Sequence, residues 1–286
     1  QDEMARGTDG QELGQALEHR QETEAAACSV QHRRLAFLGS ASSAQSNREV
    51  TAQMVDAWMT ELSNWGRWGD DDQRGCLNLI GPHKAKQAAA LVQDGATVSC
   101  ARPILTEMAA DTTYQVLRYM VDSGEGRDTD PPERKLVRRG AAEFIGMVFH
   151  GQTITHIDAL CHQAWNGKLY NGFDPSLVNS ESKATVLNID QAKNGIITRG
   201  VMLDIAKVRG VDWLEAGEGV FTEDLEAAEQ AQGVRLEEGD ALMLRLGWYK
   251  RRLEKGAPAS GRPGLHAETL PWLKERGISV VGGDAS

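Results

Sequence analysis

No run of apolar residues in this chain approaches the roughly 18 needed to cross a bilayer, so a membrane partner is not expected. Basic charge is scarce too: 31 Lys and Arg stand against 41 Asp and Glu, a formal net charge of -10 with a pI near 5.3. Nucleic-acid binders usually carry a basic patch or stripe, and the run His32-Arg33-Arg34 is too short to make one. The N-terminus lacks the charged region, apolar core and small-residue cleavage site of a secretory leader, although the chain begins at Gln1 rather than Met. Only four cysteines are present, Cys28, Cys76, Cys100 and Cys161, with neither a CxxC pair nor the density of a disulfide-stapled domain. Reduced thiols in a soluble, cytoplasmic protein are the expectation, with Cys161 behaving as a buried small hydrophobe. Aromatics are sparse at 6%, but 41% hydrophobic and 25% charged residues are ordinary for a globular chain.

A length of 286 residues allows one large domain or two smaller ones. Residues 1–47 are rich in Gln, Glu, Ala and Ser, a composition that buries too little to offset ordering entropy. They are expected to form a mobile polar tail ahead of a single domain over 48–286. Val50, Met54, Trp58 and Leu62 recur every four residues and predict a helix. HKAKQAAALVQDG reads as a second helix, stopped by Gly95. TVSCARPI, YQVLRYMV and FIGMVFH have strand composition, and the polar SGEGRDTDPPERK (123–135) reads as an exposed loop. Further on, GVMLDIA, ALMLRLGW and ISVVGGD read as strands that alternate with the helices TEDLEAAEQAQG, capped by Thr222, and HAETLPWLKERG. That alternation predicts an α/β fold. The apolar strand ends almost at Ser286, so it is expected either at a sheet edge or in a chain that continues further.

The chemistry concentrates in THIDALCH, residues 155–162, which holds two of the seven histidines around one aspartate. If the chain is extended here, His156 and Asp158 point to the same side. If it then turns helical, Asp158 and His162 face each other across one turn. His150 and Gln152 bring further metal- or proton-competent groups within a few positions. Two imidazoles and a carboxylate suit a borderline divalent cation such as zinc or manganese. The structural alternative makes Asp158 a helix cap and both histidines half-buried polar residues. The spacing is not that of the HExxH zinc proteases.

THIDALCH, with HGQ before it and WNGKLYNG after it, resembles the signature of the cyclase family of metal-dependent hydrolases, which includes kynurenine formamidase and isatin hydrolase. The blocks LSNWGRWGDDDQRGCLNLI, RGVMLDIA, GDALMLRLGW and PGLHAETLPWLKERGISVVGGDAS extend the resemblance over about residues 55–286. It implies a swivelling β/β/α domain with a mixed central sheet, commonly a homodimer, acting on a small-molecule substrate. By position it implies His156, Asp158 and Glu268 as metal ligands and His162 as the general acid/base. Without it, Glu268 reads as a solvated residue on the first turn of a helix. Trp65 and Trp68 become candidate walls for a planar substrate, or loop tryptophans packed on the core, and His150 and Gln152 are assigned to substrate binding.

The sequence departs from the two-metal formamidases at Gln152, which stands four residues before His156 where they carry a histidine. It also lacks a histidine in KRRLEKGAPASGRPG, upstream of Glu268. A single divalent metal, Zn or Mn, is therefore expected. The implied activity is hydrolysis of the C–N bond of a small amide, aryl formamide or lactam by metal-activated water. A lactonase, a ring-closing dehydratase or a non-catalytic metal-binding relative are the alternatives.

Overall fold

The computed structural model describes residues 50–123 and 140–285. The tail expected over 1–47 and all but the first residue of the loop expected at 123–135 lie outside them. Helix α1 (Ala52–Glu61) starts where the Thr51 side chain accepts the Met54 N–H at 3.2 Å. Helix α2 (Pro82–Ala90) follows, with proline in its first turn, where a missing N–H costs nothing. It ends before the expected stop at Gly95.

Strands β1 (Leu117–Asp122) and β2 (Ala142–Gly146) form an antiparallel ladder whose last pair is Leu117 with Gly146. The strand expected to run on to His150 therefore stops where its partner does. TVSCARPI forms no strand: Pro103 has no N–H to give a ladder. The segment is instead tied alongside 153–155, with Arg102 N–H on Thr155 Oγ1 at 3.1 Å and Leu105 N–H on the Thr153 carbonyl at 3.0 Å. Short strands β3 (Val178–Asn179) and β4 (Lys183–Ala184) make a second antiparallel pair.

The core lies further along the chain. Strand β5 (Gly200–Asp204) leads into helix α3 (Ile205–Val208), and β6 (Gly219–Val220) into α4 (Thr222–Gln232). Then come β7 (Ala241–Arg245), α5 (Trp248–Lys255), β8 (Gly264–Leu265), α6 (Leu270–Arg276) and β9 (Val280–Gly283). Strands β5, β7 and β9 form a three-stranded parallel sheet with β7 in the centre, while β6 pairs with β8. A mixed α/β fold is thus present. The described strands fall into four small sheets, each of one sense, rather than the mixed central sheet that the resemblance implies.

Alternation along β5 and β7 sends Val201, Leu203, Leu242 and Leu244 to a face packed against Ile205, Leu225, Ala228, Trp248 and Trp272. Burying each large side chain contributes about 1.5–3 kcal/mol, so this region anchors the molecule. Every residue of β1, by contrast, is exposed. The opposite face of the parallel sheet carries Met202 and Met243, both of which line the large cavity described below.

Two local expectations change. Thr222 is the first residue of α4 rather than its cap, and the Asp224 carboxylate accepts the Phe221 N–H at 2.8 Å to close that end. Gly247, at φ 73°, makes the turn from β7 into α5 against the backbone of Asp212 and Trp213, where a side chain has no room. Immediately before β7, the fully buried Asp240 carboxylate meets Lys84 Nζ at 2.6 Å and takes bonds from Arg199 Nε and Nη2. Among the described residues, no helix is long and apolar enough to cross a membrane.

Candidate metal site

Beyond β2 the chain turns at Gly151, which has φ 73°, and runs without helix or strand from Thr155 to Ala159, the last of these being extended. A single 3-10 turn, Leu160–His162, follows. Cys161 anchors that turn: its side chain packs with Leu169 and Leu187, and its N–H donates to the Leu187 carbonyl at 3.1 Å. Burial pushes its thiol pKa up, in keeping with an inert hydrophobe.

This geometry gathers three imidazoles around one oxygen. Asp158 Oδ1 lies 2.9 Å from His150 Nδ1, 3.3 Å from His162 Nδ1 and 3.5 Å from His156 Nε2. Both sequence-level expectations for the motif are met, since the residues two apart and four apart do converge. His150, placed among substrate contacts by the sequence reading, makes the shortest of the three approaches. The donor atoms of His150, Asp158 and His162 all lie within 4.8 Å of one another, a group able to hold a metal ion. His156 Nδ1 sits 2.9 Å from the Ile154 carbonyl. A carbonyl only accepts, so Nδ1 carries a proton in this contact, and Nε2, the atom facing Asp158, is the one that offers a lone pair when the ring is neutral. Metal-ligating histidines are commonly oriented by such a bond.

The site opens into a cavity of about 1800 Å³ whose wall includes His150, Gln152, His156, Asp158, Trp65 and Arg102. The aromatic loop at 63–76 forms one side of it.

Residues 88–286 match the family described as "Putative cyclase". A solved structure described as the crystal structure of a novel cyclase superposes with a TM-score of 0.70 at 32% identity, covering 78% of this chain and 74% of that one. The chain belongs to the cyclase family. No curated protein sequence matches it.

Trp65 and Trp68, which precede the segment matched to the family, part company. Trp65 is 46% exposed and lines the cavity. Trp68 lies under the Arg67 guanidinium, 4.7 Å from the ring centre, and is not part of the cavity wall. Glu268 is not in the His150–Asp158–His162 group; its carboxylate accepts the Thr222 N–H at 3.3 Å, at the start of α4. Helix N-termini attract carboxylates, which gives this placement a physical cause. Gln152 is buried and accepts from Arg102 Nη1 at 3.2 Å.

Several residues of the site give no warning in the sequence. Asn171, at φ 59°, accepts the Gly66 N–H at 2.7 Å and donates to the carbonyls of Gly69, Asp70 and Asp72, pinning the aromatic loop. Tyr170 donates to Asp72 at 2.9 Å. Burial and that carboxylate push the phenol pKa well above its ordinary value. From the far side, Lys274 donates to the Asn64 side chain and, at 3.2 Å, to the Ser63 carbonyl. The only sequence cue was the paired Asn-Gly of WNGKLYNG, which signals left-handed turns but not their partners.

Proposed function

We propose that this protein hydrolyses the C–N bond of a small amide, aryl formamide or lactam, using one divalent cation, zinc or manganese, held at Asp158. The observation that carries the reading is the convergence of His150, His156 and His162 on a single carboxylate oxygen within 3.5 Å. Imidazole nitrogens with a carboxylate oxygen are the donor set that such cations take.

In this reading His150, His156 and Asp158 hold the cation, with His156 fixed in its tautomer by Ile154. When bound, the cation would polarise the substrate carbonyl and lower the pKa of water from about 15.7 towards roughly 7. His162, tethered to Asp158 on the 3-10 turn, takes a proton from the attacking water and returns it to the departing nitrogen. Trp65 offers a flat wall to a planar substrate. Glu268 enters as the distal ligand implied by the resemblance only by leaving Thr222, and its 3.3 Å bond there is longer than the usual range.

The compact group His150, Asp158 and His162 favours a second partition, in which His162 is a ligand and His156 carries the proton. The same donors would serve a lactonase or a ring-closing dehydratase, because they activate a carbonyl without choosing the leaving group. Implied by the resemblance, a homodimer would cover the exposed Leu117, Tyr119, Val121, Phe144 and Ile145 of the β1–β2 ladder. The test is a panel of aryl formamides, lactams and lactones run on protein of measured metal content. Turnover of a formamide or lactam supports the reading, and turnover of lactones alone, or none with metal bound, contradicts it.

A further inference from the structure

Arg102 Nε and Nη2 are buried and have no hydrogen-bond partner among the described residues. The rest of the side chain is committed: Nη1 donates to Gln152 at 3.2 Å, and the guanidinium lies 4.8 Å from the centre of the Tyr249 ring. Nearby carboxylates are engaged elsewhere. Asp111 takes two bonds from Arg252, at 2.6 and 3.1 Å, and Asp284 accepts the Leu246 N–H at 2.8 Å. A charged donor deprived of both water and an acceptor is costly, more so than a neutral one. Arginine remains protonated, so the cost cannot be escaped by losing the charge.

The two unpartnered nitrogens are not an arbitrary pair. Nε and one Nη form the edge of the guanidinium that a carboxylate engages side-on through two parallel bonds. Arg102 lines the cavity through its other atoms, so an anion there reaches the covered Nε–Nη2 edge only as the guanidinium shifts, and Gln152 joins it to the chain two residues after His150. The wall around it has a charge unlike that of the whole molecule. Seven Lys or Arg residues line the cavity against three Asp, whereas the chain as a whole carries more acid than base. A cleft of one sign raises the local concentration of ligands of the other.

We infer that Arg102 is a carboxylate-recognition residue and that the substrate is an anion carrying a carboxylate. The identity of the reacting bond rests on the proposed hydrolase reading; the anion subsite does not. Its test therefore uses binding rather than turnover. Benzoate and benzamide have nearly the same shape and differ in charge, and their affinities for the full chain are measured by calorimetry with the parent, Arg102→Gln and Arg102→Lys. The parent should bind benzoate roughly ten-fold or more tightly than benzamide, as two charge-assisted bonds imply. Arg102→Gln should lose that preference while keeping benzamide affinity, and Arg102→Lys, which keeps the charge without the fork, should fall between. Should the Gln variant fail to fold, the parent preference and the Lys variant decide. Equal affinity of the parent for both probes overturns the inference. So does an unchanged preference in either variant, the result expected if benzoate sits on a cation at Asp158. A panel without turnover would leave the benzoate result standing, which separates this inference from the hydrolase reading.

Discussion

His162 Nδ1 lies 3.3 Å from Asp158 Oδ1, across one 3-10 turn. That contact makes His162 the side chain whose role most needs to be separated from ligation. In the proposed partition, His162→Ala lowers turnover by two orders of magnitude or more, about the usual contribution of a general acid/base, and leaves metal content at the parent level. Loss of the cation in this variant would instead assign His162 to the holding set.

The aromatic loop gives a paired comparison. Trp65→Ala should raise KM for aryl substrates, since that ring lines the cavity, while Trp68→Ala should leave KM near the parent value. Steady-state kinetics on one aryl substrate checks both. Equal effects would show that the loop acts as a packed unit and not through a wall residue.

Asp240 governs stability rather than chemistry. Burial alone pushes its carboxyl pKa up, but hydrogen bonds from Arg199, Lys84 and the Glu237 N–H outweigh it and hold the pKa below the ordinary value. A depressed pKa contributes stability that is complete above the unfolded value and is lost as pH falls through the folded one. The parent should therefore weaken below about pH 4. Asp240→Asn should cost about 3–5 kcal/mol at neutral pH, because Lys84 and Arg199 are left without their shared carboxylate, and should show less acid sensitivity in denaturant melts. A near-neutral substitution at pH 7 would contradict this account.

The parts of the molecule legible in the sequence are those set by local pattern. The spacing in THIDALCH was enough to predict convergence on Asp158, because strand and turn geometry fix where neighbours two and four apart point. Strands β5, β7 and β9 and helices α4 and α6 were legible for the same reason, each of these strands being apolar and both helices stopped by glycine, whereas α5 was not expected and GVMLDIA and ALMLRLGW turn helical at Ile205 and Trp248 before their expected ends. What failed depended on partners. FIGMVFH looked extended to its end, yet β2 ends at Gly146 where β1 ends opposite it. Glu268 is a different case: its ligand role is implied by resemblance, and nothing in the sequence signalled its contact with the Thr222 N–H at the start of α4. Arg102 had no local signal at all, since its character comes from Gln152 and Tyr249, 50 and 147 positions away.

The role of Asp158 is tested most directly by the metal stoichiometry of the purified protein and of Asp158→Ala, determined by elemental analysis. The parent should carry one zinc or manganese per chain and the variant none, with the fold intact by circular dichroism. A parent that binds no divalent cation at saturating metal, or a variant that keeps it, would contradict the claim that Asp158 is the centre of the site.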